Sequence, residues 1–110
     1  MRTVLTALML ALLTACATYK DNAGKLLAST ALTVDATMRG WGAYVRLGKA
    51  TDDQQAKVRA AYEQYQLAMQ AAQAAFTVLI ATGNQPAWTT ASSTLTSKST
   101  SLTALVQSFQ

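Results

Sequence analysis

The chain has no histidine, one cysteine, one proline and five acidic residues. Without histidine there is no imidazole to act as a base near neutral pH or as a metal ligand. A single cysteine, Cys16, excludes an intrachain disulfide and the clustered thiolates of a structural zinc site. With Pro86 the only proline, nothing breaks a long helix from within. The carboxylates are Asp21, Asp35, Asp52, Asp53 and Glu63, and no charge of either sign occurs over residues 64–97. That stretch must stay in water through amides and hydroxyls alone, or find a partner.

What is present begins with an address. Met1 and Arg2 give a positive start, residues 4–13 are apolar apart from Thr6, and Thr14, Ala15 and Cys16 follow. This is the charged, apolar and small-residue order of an export signal. A permanent span needs about 20 apolar residues, so this run is too short to remain in a bilayer. Leu13, Thr14, Ala15 and Cys16 resemble the lipobox of bacterial lipoprotein precursors, a leucine, two small residues and an obligatory cysteine. The likeness covers only residues 1–16 and extends to no part of the remaining chain.

The resemblance implies that the Cys16 sulfur receives a diacylglycerol group and that cleavage falls between Ala15 and Cys16. It implies an acyl chain on the new amino terminus as well, and these lipids are the only attached groups expected. Two or three acyl chains hold a protein firmly at a membrane, where one holds it marginally. Members of that family kept at the inner membrane carry Asp after the cysteine; Ala17 stands there, which points to the outer membrane, facing the periplasm. A second reading stays open. Ala15, Cys16 and Ala17 also fit the A-x-A pattern, and cleavage after Ala17 would release a cysteine-free soluble protein.

Removing 15 of 110 residues leaves 95, one small domain. A domain of this size buries only about 60 to 65% of its unfolded surface, and no disulfide or metal is available to staple it. Helix packing must supply the stability. In the first segment Leu27, Ala31, Val34, Met38, Trp41, Val45 and Gly48 recur at spacings of 4, 3, 4, 3, 4 and 3. That is the seam of one helix. Gly40 and Gly42 each cost about 1 kcal/mol of helix propensity against Ala, so a bend or a close backbone neighbour is expected there. Asp35 and Arg39 are placed for an i,i+4 ion pair.

Thr51, Asp52, Asp53 and Gln54 form a capping box that opens the next helix. Its seam is Val58, Tyr62, Tyr65, Met69, Ala72, Phe76, Leu79 and Gly83, again alternating 4 and 3. Ala61, Ala68 and Ala75 add a small-residue stripe against which a further helix can lie closely. Gly83 ends this helix and Pro86 suits the first turn of another. In that last segment ten of the residues 89–101 are Ser or Thr, which prefer caps and turns. Trp88, Leu95, Leu102 and Phe109 nevertheless recur every seventh position, so a third helix is expected, with a disordered tail as its rival. The expected architecture is an all-α, antiparallel three-helix bundle, up-down-up, after a cleaved signal helix. Its parts are the signal peptide 1–15, the lipidated cysteine and tether 16–25, and the bundle 26–110, with helices near 26–48, 52–82 and 86–109.

Functional candidates are few. Asp35 and Glu63 could be imagined as an acid pair, but so small a bundle offers no cleft for a sugar, and no enzyme is expected. Gly40, Trp41 and Gly42 lack the strand and spacing of a phosphate loop. Arg46, Lys49, Lys57 and Arg59 gather in sequence around the first turn and form a candidate interaction surface; an ordinary solvated loop is the alternative. Side-chain charge after residue 15 is 8 minus 5, or +3, too mild and too dispersed for nucleic acid, which is set aside as a partner. The expected partners are the membrane, through the lipid, and an envelope protein or an anionic envelope polymer. The expected function is a non-enzymatic structural or interaction module. The competing reading is a membrane-active lipoprotein, phage-encoded in one version, that inserts residues 64–97, where Tyr62, Tyr65 and Trp88 flank the uncharged run.

Overall fold

A computed structural model of the chain describes the backbone of residues 2–110 and the side chains of residues 18–110. It consists of three helices, α1 (Arg2–Arg46), α2 (Asp52–Thr82) and α3 (Gln85–Phe109), with no strand among the described residues. The expectation of an all-helical bundle therefore holds, and the bounds of α2 and α3 match the sequence reading to within one residue.

Local chemistry explains the ends. Around Thr51, the Gln54 amide donates to the threonine hydroxyl at 3.1 Å and the Thr51 amide donates to the Gln54 side chain at 3.0 Å. Two otherwise orphaned N–H groups are thereby satisfied. Gly48, at φ 73, follows the end of α1; its N–H reaches the Val45 carbonyl and that of Lys49 reaches Tyr44. This is a Schellman turn, and α1 stops at Arg46 because the chain turns left-handed two residues later. Gly83, at φ 74, donates to the Leu79 carbonyl to close α2. Asn84 then caps α3 by accepting from the Ala87 amide, with Pro86 in its first turn.

The buried core runs the length of the bundle. Val58, Tyr65, Ala68, Ala72 and Leu79 face inward from α2, and Trp88, Leu95, Leu102 and Val106 from α3. Fully burying a leucine or valine contributes about 1.5–3 kcal/mol, so this shared seam carries most of the stability. Alanines at positions 61, 68 and 75 lie on its inner side and keep the helices close, as the stripe predicts. The hydroxyl-rich α3 is held helical by its buried face of Trp88, Leu95, Leu102 and Val106, and several of its hydroxyls bond back to the helix itself. Thr89 donates to the Gln85 carbonyl, Ser92 to Thr89, Thr94 to Thr90 and Ser99 to Thr96, at 3.0–3.2 Å. Hydroxyls engaged in this way no longer compete for the backbone amides.

Three expectations for α1 are corrected. The part of the supposed tether with described side chains, residues 18–25, is helical, and Ala23 is buried within the bundle. The Tyr19 hydroxyl lies 3.1 Å from that of Thr89, and the Lys20 ammonium donates to the Ile80 carbonyl at 3.3 Å. These contacts offset the polar composition that reads as a linker. The seam is also rotated: Ala31 is exposed and Thr30 takes the inward place between Leu27 and Val34. Finally, α1 runs unbroken through Gly40 and Gly42, where an added Cβ would come nearest the Gln110 side chain and the Arg46 side chain of α1 itself, and not a second backbone. At the other end of the bundle from Tyr19, Trp41 packs against Phe109 with ring centres 6.0 Å apart.

Candidate functional site

The four cations near the first turn come from α1, from the connection after it and from α2. Arg46 sits in the last turn of α1 and Lys49 in the connection, both exposed. Lys57 is held by Asp53 at 3.1 Å, an exposed i,i+4 pair that takes up its charge locally. Arg59 follows Lys57 by two positions, about 200° around a helix of 3.6 residues per turn, and so points away from it. It walls a groove between α1 and α2 instead.

That groove runs between α1 and α2. One part, about 300 Å³, is lined by Met38, Trp41, Val45, Val58, Arg59 and Tyr62 among others. A second part, about 400 Å³, shares Met38 and Tyr62 and adds Ala31, Leu32, Val34, Asp35 and Tyr65. The two make a continuous trough along one side of α1. Its walls are apolar and aromatic, with Tyr62 and Tyr65 rings 5.9 Å apart. Burial, and then the neighbouring Tyr62 phenol, push Tyr65 above the ordinary tyrosine value, so it stays protonated and neutral. On the opposite side of α1 a third groove of about 280 Å³ is lined by Thr33, Ser99, Thr100, Thr103, Ala104 and Gln107.

The chemistry available in the trough is limited. Its one carboxylate, Asp35, is bound to Arg39 at 3.1 Å, the pair expected from their spacing. Glu63 is exposed and does not line it, so the imagined acid pair is not assembled. Among the described residues no three His, Cys, Asp or Glu side chains could share a metal ion, and no buried side-chain polar atom lacks a partner. The arrangement can hold an apolar or aromatic group; it has no paired acid and base to act on one. Leu32, 71% exposed at its rim, escapes sequence reading because it lies off the seam. Ala15 and Cys16, the cleavage and lipid positions, lie outside the residues whose side chains are described. The chain matches no protein-family model, no curated protein and no solved structure.

Proposed function

We propose that the protein is a small bacterial lipoprotein, anchored through Cys16 to the outer membrane and facing the periplasm, where its helical domain acts as a non-enzymatic structural or interaction module. In this reading the mature part is an up-down-up three-helix bundle, residues 1–15 having been removed. Its partner is an envelope protein or an anionic envelope polymer. The observation that carries the reading is the position of the only cysteine: Cys16 stands directly after Leu13, Thr14 and Ala15 at the end of an apolar run. The bundle supports a binding role over a chemical one through its apolar trough and its lack of paired carboxylates there.

A second reading is favoured by one feature. Leu67, Val78 and Ile80 are 60%, 41% and 47% exposed on the uncharged half of α2, as a membrane-inserting segment would require. Against it, no helix among the described residues is long and apolar enough to cross a membrane. Mass spectrometry and membrane extraction test both readings. The mature chain is expected to begin at Cys16 with a lipid-sized increment, and a Cys16→Ser variant to leave the membrane at alkaline pH. A start at Thr18 without increment overturns the anchor, and retention of the variant transfers the case to the inserting segment.

A further inference from the structure

The segment between anchor and domain has no slack. Cys16 lies within the span of α1, three positions before Tyr19, a helical rise of about 4.5 Å. Tyr19 is already engaged with Thr89 near the start of α3, and Lys20 with Ile80 near the end of α2. Ala23, one turn further on, is buried at 3% exposure, and the face of Gly24 packs against the Phe76 ring. A chain tied to two other helices within a turn of its lipid cannot let the domain drift from the membrane.

We propose that the α2–α3 turn is the membrane-contacting surface of the domain, seated directly on the lipid headgroups. The inference rests on the anchoring at Cys16 proposed above and names the surface that the anchor brings to the lipid. The end of the bundle beside Tyr19 and Lys20 comprises Ile80, Ala81 and Thr82 of α2, the connection Gly83 and Asn84, and Gln85, Pro86 and Ala87 of α3, all exposed. None of these residues is charged, so nothing on the turn opposes its approach to an interface. Lys20 supplies a cation tied to this end, and Asp21 beside it is matched by Lys25 at 3.1 Å. A mostly neutral surface carrying a lysine and a half-exposed isoleucine suits the boundary of headgroup and acyl chain. The opposite end, with Trp41, lies 22 residues of α1 beyond Tyr19, about 33 Å away.

The two tryptophans of the chain measure this geometry. Trp88 lies in the first turn of α3, beside the proposed seat, and Trp41 lies against Phe109 at the far end. The lipidated protein, purified from membranes as Trp41→Phe and Trp88→Phe variants, is placed in phosphatidylethanolamine and phosphatidylglycerol vesicles carrying a headgroup nitroxide. Emission from Trp88 is expected to be largely lost and that from Trp41 retained. Because both rings are buried, exposed positions give a second readout independent of core packing. Ala87→Cys and Lys49→Cys carry an environment-sensitive dye, which Cys16, blocked as a thioether, does not accept. The dye at position 87 is expected to report lipid and that at position 49 water. If Cys16 carries its lipid and neither end senses the membrane, the direct seat is overturned and the anchor stands. Equal quenching of both ends also overturns the seat, since the bundle would then lie flat. A mass without lipid removes the anchor itself and the seat with it.

Discussion

The α2–α3 pair and α1 are all long helices, yet they are held in different ways. Among the residues with described side chains, nine of the twelve buried core residues belong to α2 and α3 and three, Ala23, Val34 and Trp41, to α1. The connection between α2 and α3 is two residues, each used as a cap, whereas five residues separate α1 from α2. All three grooves described above have α1 as a wall. The pair is thus a closely packed hairpin that makes the core, and α1 is laid over it with gaps on both sides. Core and grooves are separated: most of the buried residues lie on α2 and α3, and the grooves run along α1.

The largest expected effect tests that separation with one chemistry at two places. Val106 of α3 is 1% exposed and lines none of the grooves, whereas Val34 of α1, at 2%, lines the larger part of the trough. Removing two methyl groups loses about 1.6 kcal/mol of transfer energy. A sealed cavity adds to that loss, and an open groove that can relax or admit water does not. Val106→Ala should therefore cost about 2 kcal/mol or more and Val34→Ala nearer 1, read as denaturant midpoints at unchanged slope. Equal losses would mean that α1 is seated as tightly as the hairpin and would erase the distinction.

A smaller effect concerns the two turns. Gly83 and Gly48 both adopt left-handed backbone, at φ 74 and 73, with no atom near enough to obstruct an added Cβ. Alanine in this conformation costs roughly 1 kcal/mol or slightly more, so Gly83→Ala and Gly48→Ala should lower stability by similar amounts. The kinetics should divide them. If the hairpin forms early and α1 docks late, Gly83→Ala slows folding while Gly48→Ala speeds unfolding. Two variants that both act only on unfolding would break the proposed order.

Most of this division is visible in the residues once the physical reasons are set beside them. The α2 seam from Val58 to Leu79 reads directly, because large apolar residues alternate with alanine and the flanks are polar. In α3 the heptad of Trp88, Leu95 and Leu102 outweighs the hydroxyl content, and hydroxyls such as those of Thr89 and Thr94 turn back on their own helix. The start of α1 is misread because its inward residues, Ala23 and Thr30, are small or polar and give a weak periodic signal among Lys20, Asp21 and Asn22. Tyr19 and Lys20 are recognisable as ties only when Thr89 and the Ile80 carbonyl are in place beside them. The trough is legible only in part: Met38, Trp41, Tyr62 and Tyr65 are seam residues, but the gap they leave depends on how far α1 stands from α2, which no local pattern encodes.

The smallest effect reports on α1 through a single phenol. Tyr65 lies where α1 covers the trough, and burial there, reinforced by Tyr62, raises its pKa above the ordinary value of 10.0. A raised pKa means that the folded chain keeps a proton which the unfolded chain has already released. The contribution of Tyr65 to stability is then complete below pH 10.0 and is lost as the pH climbs through the higher folded value. A Tyr65→Phe variant should show a flatter alkaline fall in stability. In phenolate absorbance titrations the variant should lose a late-ionising component. Should α1 stand away from the hairpin in solution, water would reach this phenol, Tyr65 would titrate with ordinary tyrosines, and the alkaline limbs of the two proteins would coincide. The measurement therefore asks whether the helix that walls all three described grooves rests on the hairpin closely enough to dry the Tyr65 phenol beneath it.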